Sequence, residues 1–117
     1  VKNQNFANRL SFALNGIKHA FKNESSFRAQ LLLAVIAIVY FYWLGVTMVW
    51  WTILIMIIAL ILAMELLNTS IEALADHLHP EVHPTIKIVK DLAAGAVLIL
   101  SVAAVIFAVL TSINFWH

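Results

Sequence analysis

The chain of 117 residues contains no cysteine, three glycines and two prolines, and only 11% of it is charged. The missing cysteine excludes disulfides and thiolate chemistry. With only Gly16, Gly45 and Gly95, the sequence has no Gly-rich phosphate loop and no Walker motif. Soluble domains carry about twice this share of charge. Charge is also missing in long blocks. From Ala29 to Met64, and again from Leu92 to Trp116, there is no Asp, Glu, Lys or Arg. Uncharged apolar runs of that length read as membrane spans.

What is present is 63% hydrophobic. As one helix, the first apolar run would be roughly 54 Å long, far beyond a hydrocarbon core of about 30 Å. A break is expected at "WLGVTM". There Gly45, Val46 and Thr47 are poor helix formers, flanked by Trp43, Trp50 and Trp51. Tryptophan favours the membrane interface. Spans are expected at about 29–45, 47–68 and 92–114. Ahead of them, Phe6, Leu10, Ala13, Leu14, Ile17 and Phe21 recur at helical spacing, opposite Asn8, Ser11, Asn15, Lys18 and Lys22. This predicts an amphipathic surface helix over about 5–22, either a plain anchor or an anchor that also lines a site. "KNESS" then turns the chain inward. The first apolar run starts too late, and lacks a cleavage site, for a signal peptide. No repeat or low-complexity linker divides the sequence. The expectation is an all-α membrane protein in which residues 1–117 form one domain: three transmembrane helices plus the surface helix.

The seven Lys and Arg fall in two places. Lys2, Arg9, Lys18, Lys22 and Arg28 precede the first span, and Lys87 and Lys90 lie between the second and third. The positive-inside rule puts both segments in the cytoplasm. All six acidic residues lie on that side too. Chemistry is therefore expected at the cytoplasmic face.

Glu65, Asn68, Glu72 and Asp76 are spaced by three, four and four residues, which makes one polar stripe on a helix. Glu65 would lie about 27 Å along the second span, near the cytoplasmic boundary of the hydrocarbon. An ionised side chain at the centre of a span costs roughly 2.5–3.5 kcal/mol, so Glu65 should face other helices or a polar cleft. Helix–helix glue explains a lone Asn. It explains four polar groups along one stripe less well. In "HLHPEVHPTIKIVKD" the His-Pro steps favour extended or turn backbone, and a helix is expected to begin near Pro84. His83, Lys87, Lys90 and Asp91 then fall roughly on one face. His77, His79 and His83 lack the spacing of a compact zinc site, so solvated or phosphate-contacting histidines are expected. Carboxylates beside lysines suit a hard cation and a polyphosphate, since Mg²⁺ keeps several waters and shares substrate phosphates.

Three stretches in order carry a resemblance. They are "NESSFRAQ" before a short span, "ELLNTSIEALAD", and "KDLAAGAVL" opening the third span. Together, from about Phe6 to Phe115, they resemble the small prokaryotic diacylglycerol kinase family, which also includes undecaprenol kinases. The resemblance implies a homotrimer in the bacterial cytoplasmic (inner) membrane, with sites between neighbouring protomers. It implies transfer of the ATP γ-phosphoryl group, with Mg²⁺, to a lipid hydroxyl. Carried over, Glu65 would be the catalytic base. Glu24 and Glu72 would hold the metal and reach the nucleotide. Glu81, Val82, His83, Lys90 and Asp91 would contact the nucleotide, and Phe12 stands where some relatives have a tyrosine near it. Trp43 would sit near the lipid, and Asn68 and Asp76 would support the site. Ala94 stands at a lipid-side position where many diacylglycerol kinases have serine.

"KDLAAGAVL" is more like undecaprenol kinases, and "IEALAD" is closer to diacylglycerol kinases. Diacylglycerol, giving phosphatidic acid, is the expected substrate, with undecaprenol as the alternative. A non-enzymatic channel or assembly subunit would be favoured by acids spread through the spans, yet these cluster on one side. A lipid phosphatase usually needs a nucleophile or a His–Arg clamp, and the only arginines are Arg9 and Arg28. A nucleic-acid partner is not expected.

Overall fold

The computed structural model describes residues 5–117, so Lys2, which the orientation argument uses, lies outside the described residues. Four helices follow one another: α1 (Phe6–Asn23), α2 (Ser25–Leu44), α3 (Met48–Leu78) and α4 (Pro84–Phe115). Among the described residues there is no strand. Three of the helices, α2, α3 and α4, are long and apolar enough to cross a membrane.

α1 begins where the Asn5 side chain accepts from the Asn8 backbone N–H at 2.9 Å, satisfying one of the free amides of the first turn. It buries only Ala20 and leaves Phe6, Leu10, Leu14, Ile17 and Phe21 exposed. That is the pattern of a helix lying on a bilayer. A single residue, Glu24, separates α1 from α2. Its backbone is extended (φ −115°, ψ 108°), and its N–H donates to the Ala20 carbonyl at 2.8 Å. The Arg28 guanidinium donates to the last carbonyls of α1, at Phe21 (2.8 Å) and Lys22 (3.1 Å), which α1's own backbone leaves without partners.

α2, at 20 residues, is about 30 Å long and just spans the hydrocarbon. Gly45 ends it in the left-handed region (φ 73°), with its N–H bonded to the Phe41 and Tyr42 carbonyls. The turn to α3 is only Gly45, Val46 and Thr47, as expected from "WLGVTM". α3 and α4 have 31 and 32 residues, about 46–48 Å, so each outruns the bilayer core by about three helical turns. Both must project at the end away from the short turn. That is the end where the charges lie. α3 ends at Leu78, with His79 as its C-cap just before Pro80, and α4 starts with Pro84 at its first turn.

The apolar core sits at the turn end. Phe41, fully buried, packs with Leu44, Val46 and Leu54, surrounded by Trp50, Trp51, Phe107 and Phe115. Tyr40 and Ser112 join their hydroxyls at 2.6 Å across α2 and α4. Such a bond satisfies two polar groups where no water is available. α3 makes its most extensive contact with α4.

Candidate active site

At the opposite end, the first turn of α2 meets α3. Glu65 is buried, with 5% of its surface exposed. Ser26 Oγ donates to Glu65 Oε2 at 3.2 Å, joining residues 39 apart in sequence. The two meet because α2 rises about 27 Å from Ser26 to Leu44, while Glu65 lies about 26 Å along α3 from Met48. Ser26 is not among the residues singled out by the sequence. Its signal is position: it opens the first span at the depth where Glu65 closes the second.

One turn further along α3, Asn68 Nδ2 donates to Glu72 Oε1 at 3.4 Å. Asn68 Oδ1 is buried and has no hydrogen-bond partner among the described residues. A buried acceptor without a donor is costly, and it suits a ligand hydroxyl, a water or a cation. Glu72 itself is exposed.

Beyond the bilayer, Lys90 Nζ bonds Asp76 Oδ1, pinning the start of α4 to the end of α3. Lys90 lies ahead of the uncharged stretch of α4, outside the hydrocarbon. The hydrogen bond to Asp76 holds its ammonium above the ordinary lysine range. Lysine has three donors, so two remain for other anions. Asp76, Glu81, Val82, His83 and Lys90 line one pocket of about 310 Å³, together with His79 and Lys87. The pocket thus holds four of the eight residues expected at the nucleotide, Glu81, Val82, His83 and Lys90. The His83 ring accepts from the Thr85 N–H at 3.1 Å and caps α4. His79 lies beside it, with ring centroids 5.5 Å apart.

Other expected residues lie elsewhere. Lys87 pairs with Asp91 one turn on, at 2.7 Å, so the predicted common face of α4 divides. Lys90 turns to α3, while Asp91 lines a separate outward hollow with Leu92 and Gly95. Ala94 is exposed on α4, Phe12 is about half exposed on α1, and Glu24 is half-buried at the α1–α2 junction. Trp43 stands at the turn end, stacked against Tyr40 and next to Trp116 and His117. It thus stands at the opposite end of the bundle from Glu65, about 26 Å away along α3.

Among the described residues, no three His, Asp or Glu side chains gather into a cation-holding group. The oxygens near the stripe, Glu72 and the unpartnered Asn68 Oδ1, still form a hard donor set. They fit a cation that takes its remaining ligands from phosphate and water.

Comparison with known proteins gives one consistent answer. A sequence model described as prokaryotic diacylglycerol kinase matches residues 11–112. The diacylglycerol kinase of Haemophilus influenzae is 36% identical over 92 residues, covering 79% of this chain and 78% of that protein. That of Escherichia coli K12 is 34% identical over 95 residues, covering 81% and 78%. That of Helicobacter pylori 26695 is 38% identical over 90 residues, covering 77% and 70%. With three apolar helices and a carboxylate stripe at one end, this chain belongs to the prokaryotic diacylglycerol kinase family and is a kinase.

Proposed function

We propose that this protein phosphorylates diacylglycerol to phosphatidic acid, using ATP at the cytoplasmic face of the bacterial inner membrane. The observation that carries this reading is the buried Glu65, which lies about 26 Å along α3 and so, in this reading, near a boundary of the hydrocarbon where a lipid hydroxyl would emerge. The substrate's tails hold its hydroxyl at that depth, and ATP comes from water. The reaction needs a base at the boundary and cationic groups just above it, and Glu65 and Lys90 have those positions.

In the proposed step the lipid hydroxyl oxygen attacks the γ-phosphorus of ATP. The new O–P bond forms as the bond from the γ-phosphorus to the β,γ-bridging oxygen breaks, and ADP leaves. Glu65 accepts the hydroxyl proton. Phosphoryl transfer demands mainly alignment and charge compensation. Lys90 compensates phosphate charge from its perch beside Asp76, and the pocket around His83 receives the nucleotide. Mg²⁺ held by Glu24 and Glu72, with Asn68 in support, would supply further charge compensation when bound.

α4 leaves Asp91 and Ala94 exposed, with Asp91 lining a hollow that does not include Glu65, which supports sites completed by a neighbouring protomer. The proposed assembly is the homotrimer. A second reading, undecaprenol kinase, is favoured by one observation: Ala94 offers no hydroxyl to an ester. Diacylglycerol presents two ester carbonyls, and undecaprenol presents a bare alcohol on a branched tail. The curated relatives named above are diacylglycerol kinases, which favours the first reading. The test is phosphorylation of each lipid by purified protein and Mg-ATP in the same mixed micelles. A kcat/KM ratio favouring diacylglycerol is expected. A ratio strongly favouring undecaprenol would promote the second reading, and no phosphorylated lipid from either would overturn both.

A further inference from the structure

The junction between α1 and α2 is held with unusual completeness for a one-residue break. The Glu24 N–H is bonded to Ala20 O, and the Glu24 carbonyl accepts from the Arg28 N–H at 3.2 Å. Arg28 bridges back to α1, and Phe27 is buried beneath. The first turn of α2 therefore has little freedom. Ser26 is its second residue. A hydroxyl there would ordinarily turn back to the carbonyl four residues earlier. That carbonyl, Lys22 O, already accepts from Arg28. Ser26 reaches across to α3 instead, and its bond to Oε2 is the only hydrogen bond of the Glu65 carboxylate among the described residues.

We infer that Ser26 is a positioning residue for Glu65: its hydroxyl holds Oε2 and leaves Oε1 turned toward the lipid hydroxyl. The inference rests on the reading of Glu65 as the base. Hydrogen bonds to an ionised acceptor are the strong ones, and they favour the charged form over the neutral one. Ser26 donates throughout and exchanges no proton with the substrate. It keeps the base aimed. Because the bond runs from the α1–α2 junction, the base is registered against the same turn that carries Glu24.

The test uses the full chain in mixed micelles, with kcat and KM measured for Ser26→Ala, Ser26→Thr and Ser26→Cys. Removing a donor to a charged group should lower kcat about tenfold in Ser26→Ala. KM for the lipid should stay within about twofold, since the bond does not touch the substrate. Ser26→Thr, which keeps the hydroxyl, should recover most of the rate, and Ser26→Cys, a weak donor of similar size, should fall between. In a Glu65→Gln background, Ser26→Ala should cost nothing further, because the two act as a unit. An unchanged rate in Ser26→Ala would sink the inference. So would a loss that threonine does not rescue or that adds fully to Glu65→Gln. If Ser26→Ala fails to fold, the order of serine, threonine and cysteine decides alone: equal kcat values in all three overturn it. Full activity in Glu65→Gln itself would instead remove the base reading, which is a separate result.

Discussion

Replacing Glu65 by glutamine separates proton acceptance from everything else the side chain does. Glutamine has nearly the same shape, and its amide oxygen can still accept from Ser26 Oγ, now 3.2 Å from Oε2. The side chain is 5% exposed, so little new surface meets water or lipid. A neutral amide is also cheaper to keep at that depth than a carboxylate. Stability should therefore hold or rise. What disappears is the ability to take a proton from the lipid hydroxyl. General-base assistance is worth about 10²–10⁴ in rate, or roughly 2.7–5.5 kcal/mol in the barrier. The expected result is a kcat lowered by that factor, with lipid KM and nucleotide affinity within about threefold of wild type. The assay follows phosphorylated lipid over time, beside nucleotide binding and a size measurement in detergent. A kcat within threefold of wild type would refute the role of Glu65. A collapse of assembly in Glu65→Gln would refute the claim that its carboxylate is dispensable for the fold.

Glu24→Ala and Glu72→Ala should each raise the Mg²⁺ concentration for half-maximal activity by about tenfold or more, and unchanged metal dependence in either would exclude that residue as a ligand. Glu65→Gln mixed at equal amounts with Asp91→Ala should recover about one quarter of the sites if a closed trimer builds each site from Glu65 of one chain and Asp91 of the next. Activity that stays at the mean of the two variants would refute shared sites. Gly45→Ala should cost about 1–2 kcal/mol in reversible detergent unfolding, because φ is 73° and the added methyl meets nothing within 4 Å that could repay the strain. An unchanged unfolding midpoint would contradict that assignment of the turn.

The helices were legible because their signals are local. The uncharged run from Ala29 to Met64 is too long for one span, and Gly45 is the only residue in it free to turn left-handed. Pro84 opens α4 as its fixed φ dictates. The polar stripe was legible for the same reason, since Glu65, Asn68 and Glu72 follow helical spacing, and Asn68 does reach Glu72. Partners across helices were not. Nothing in the spacing of α4 says that Lys90 turns to Asp76 while Asp91, its neighbour, turns to Lys87. Nor does "NESS" reveal that one of its two serines reaches Glu65, because that depends on the relative rise of α2 and α3. The family resemblance supplied residue roles, yet it could not show that Trp43 stands at the far end of the bundle.

The distribution of burial explains why the chemistry lies where it does. In the apolar window of each spanning helix, only 17% (α2), 17% (α3) and 6% (α4) is buried inside the chain. The well-packed part is the aromatic cluster around Phe41, at the turn end. There the hydroxyls of Tyr40 and Ser112 are paired and Thr111 bonds the Phe107 carbonyl, so the polar groups are satisfied internally. The opposite end is built differently. It buries Glu65 against one serine, leaves Asn68 Oδ1 without a partner, and holds α4 to α3 through an ion pair open to water. Exposed ion pairs contribute little to stability, so that end rests on its smaller buried contacts, such as Phe27 and Ala75, and on the helices fixed by the core about 26 Å away. Distant sites add independently. Changes in the turn-end core should therefore act on unfolding and leave kcat per folded molecule intact, whereas Ser26 and Glu65 should act on kcat with little effect on unfolding. A protein arranged in this way can leave polar atoms unsatisfied at its working end because the opposite end fixes the helices that carry them.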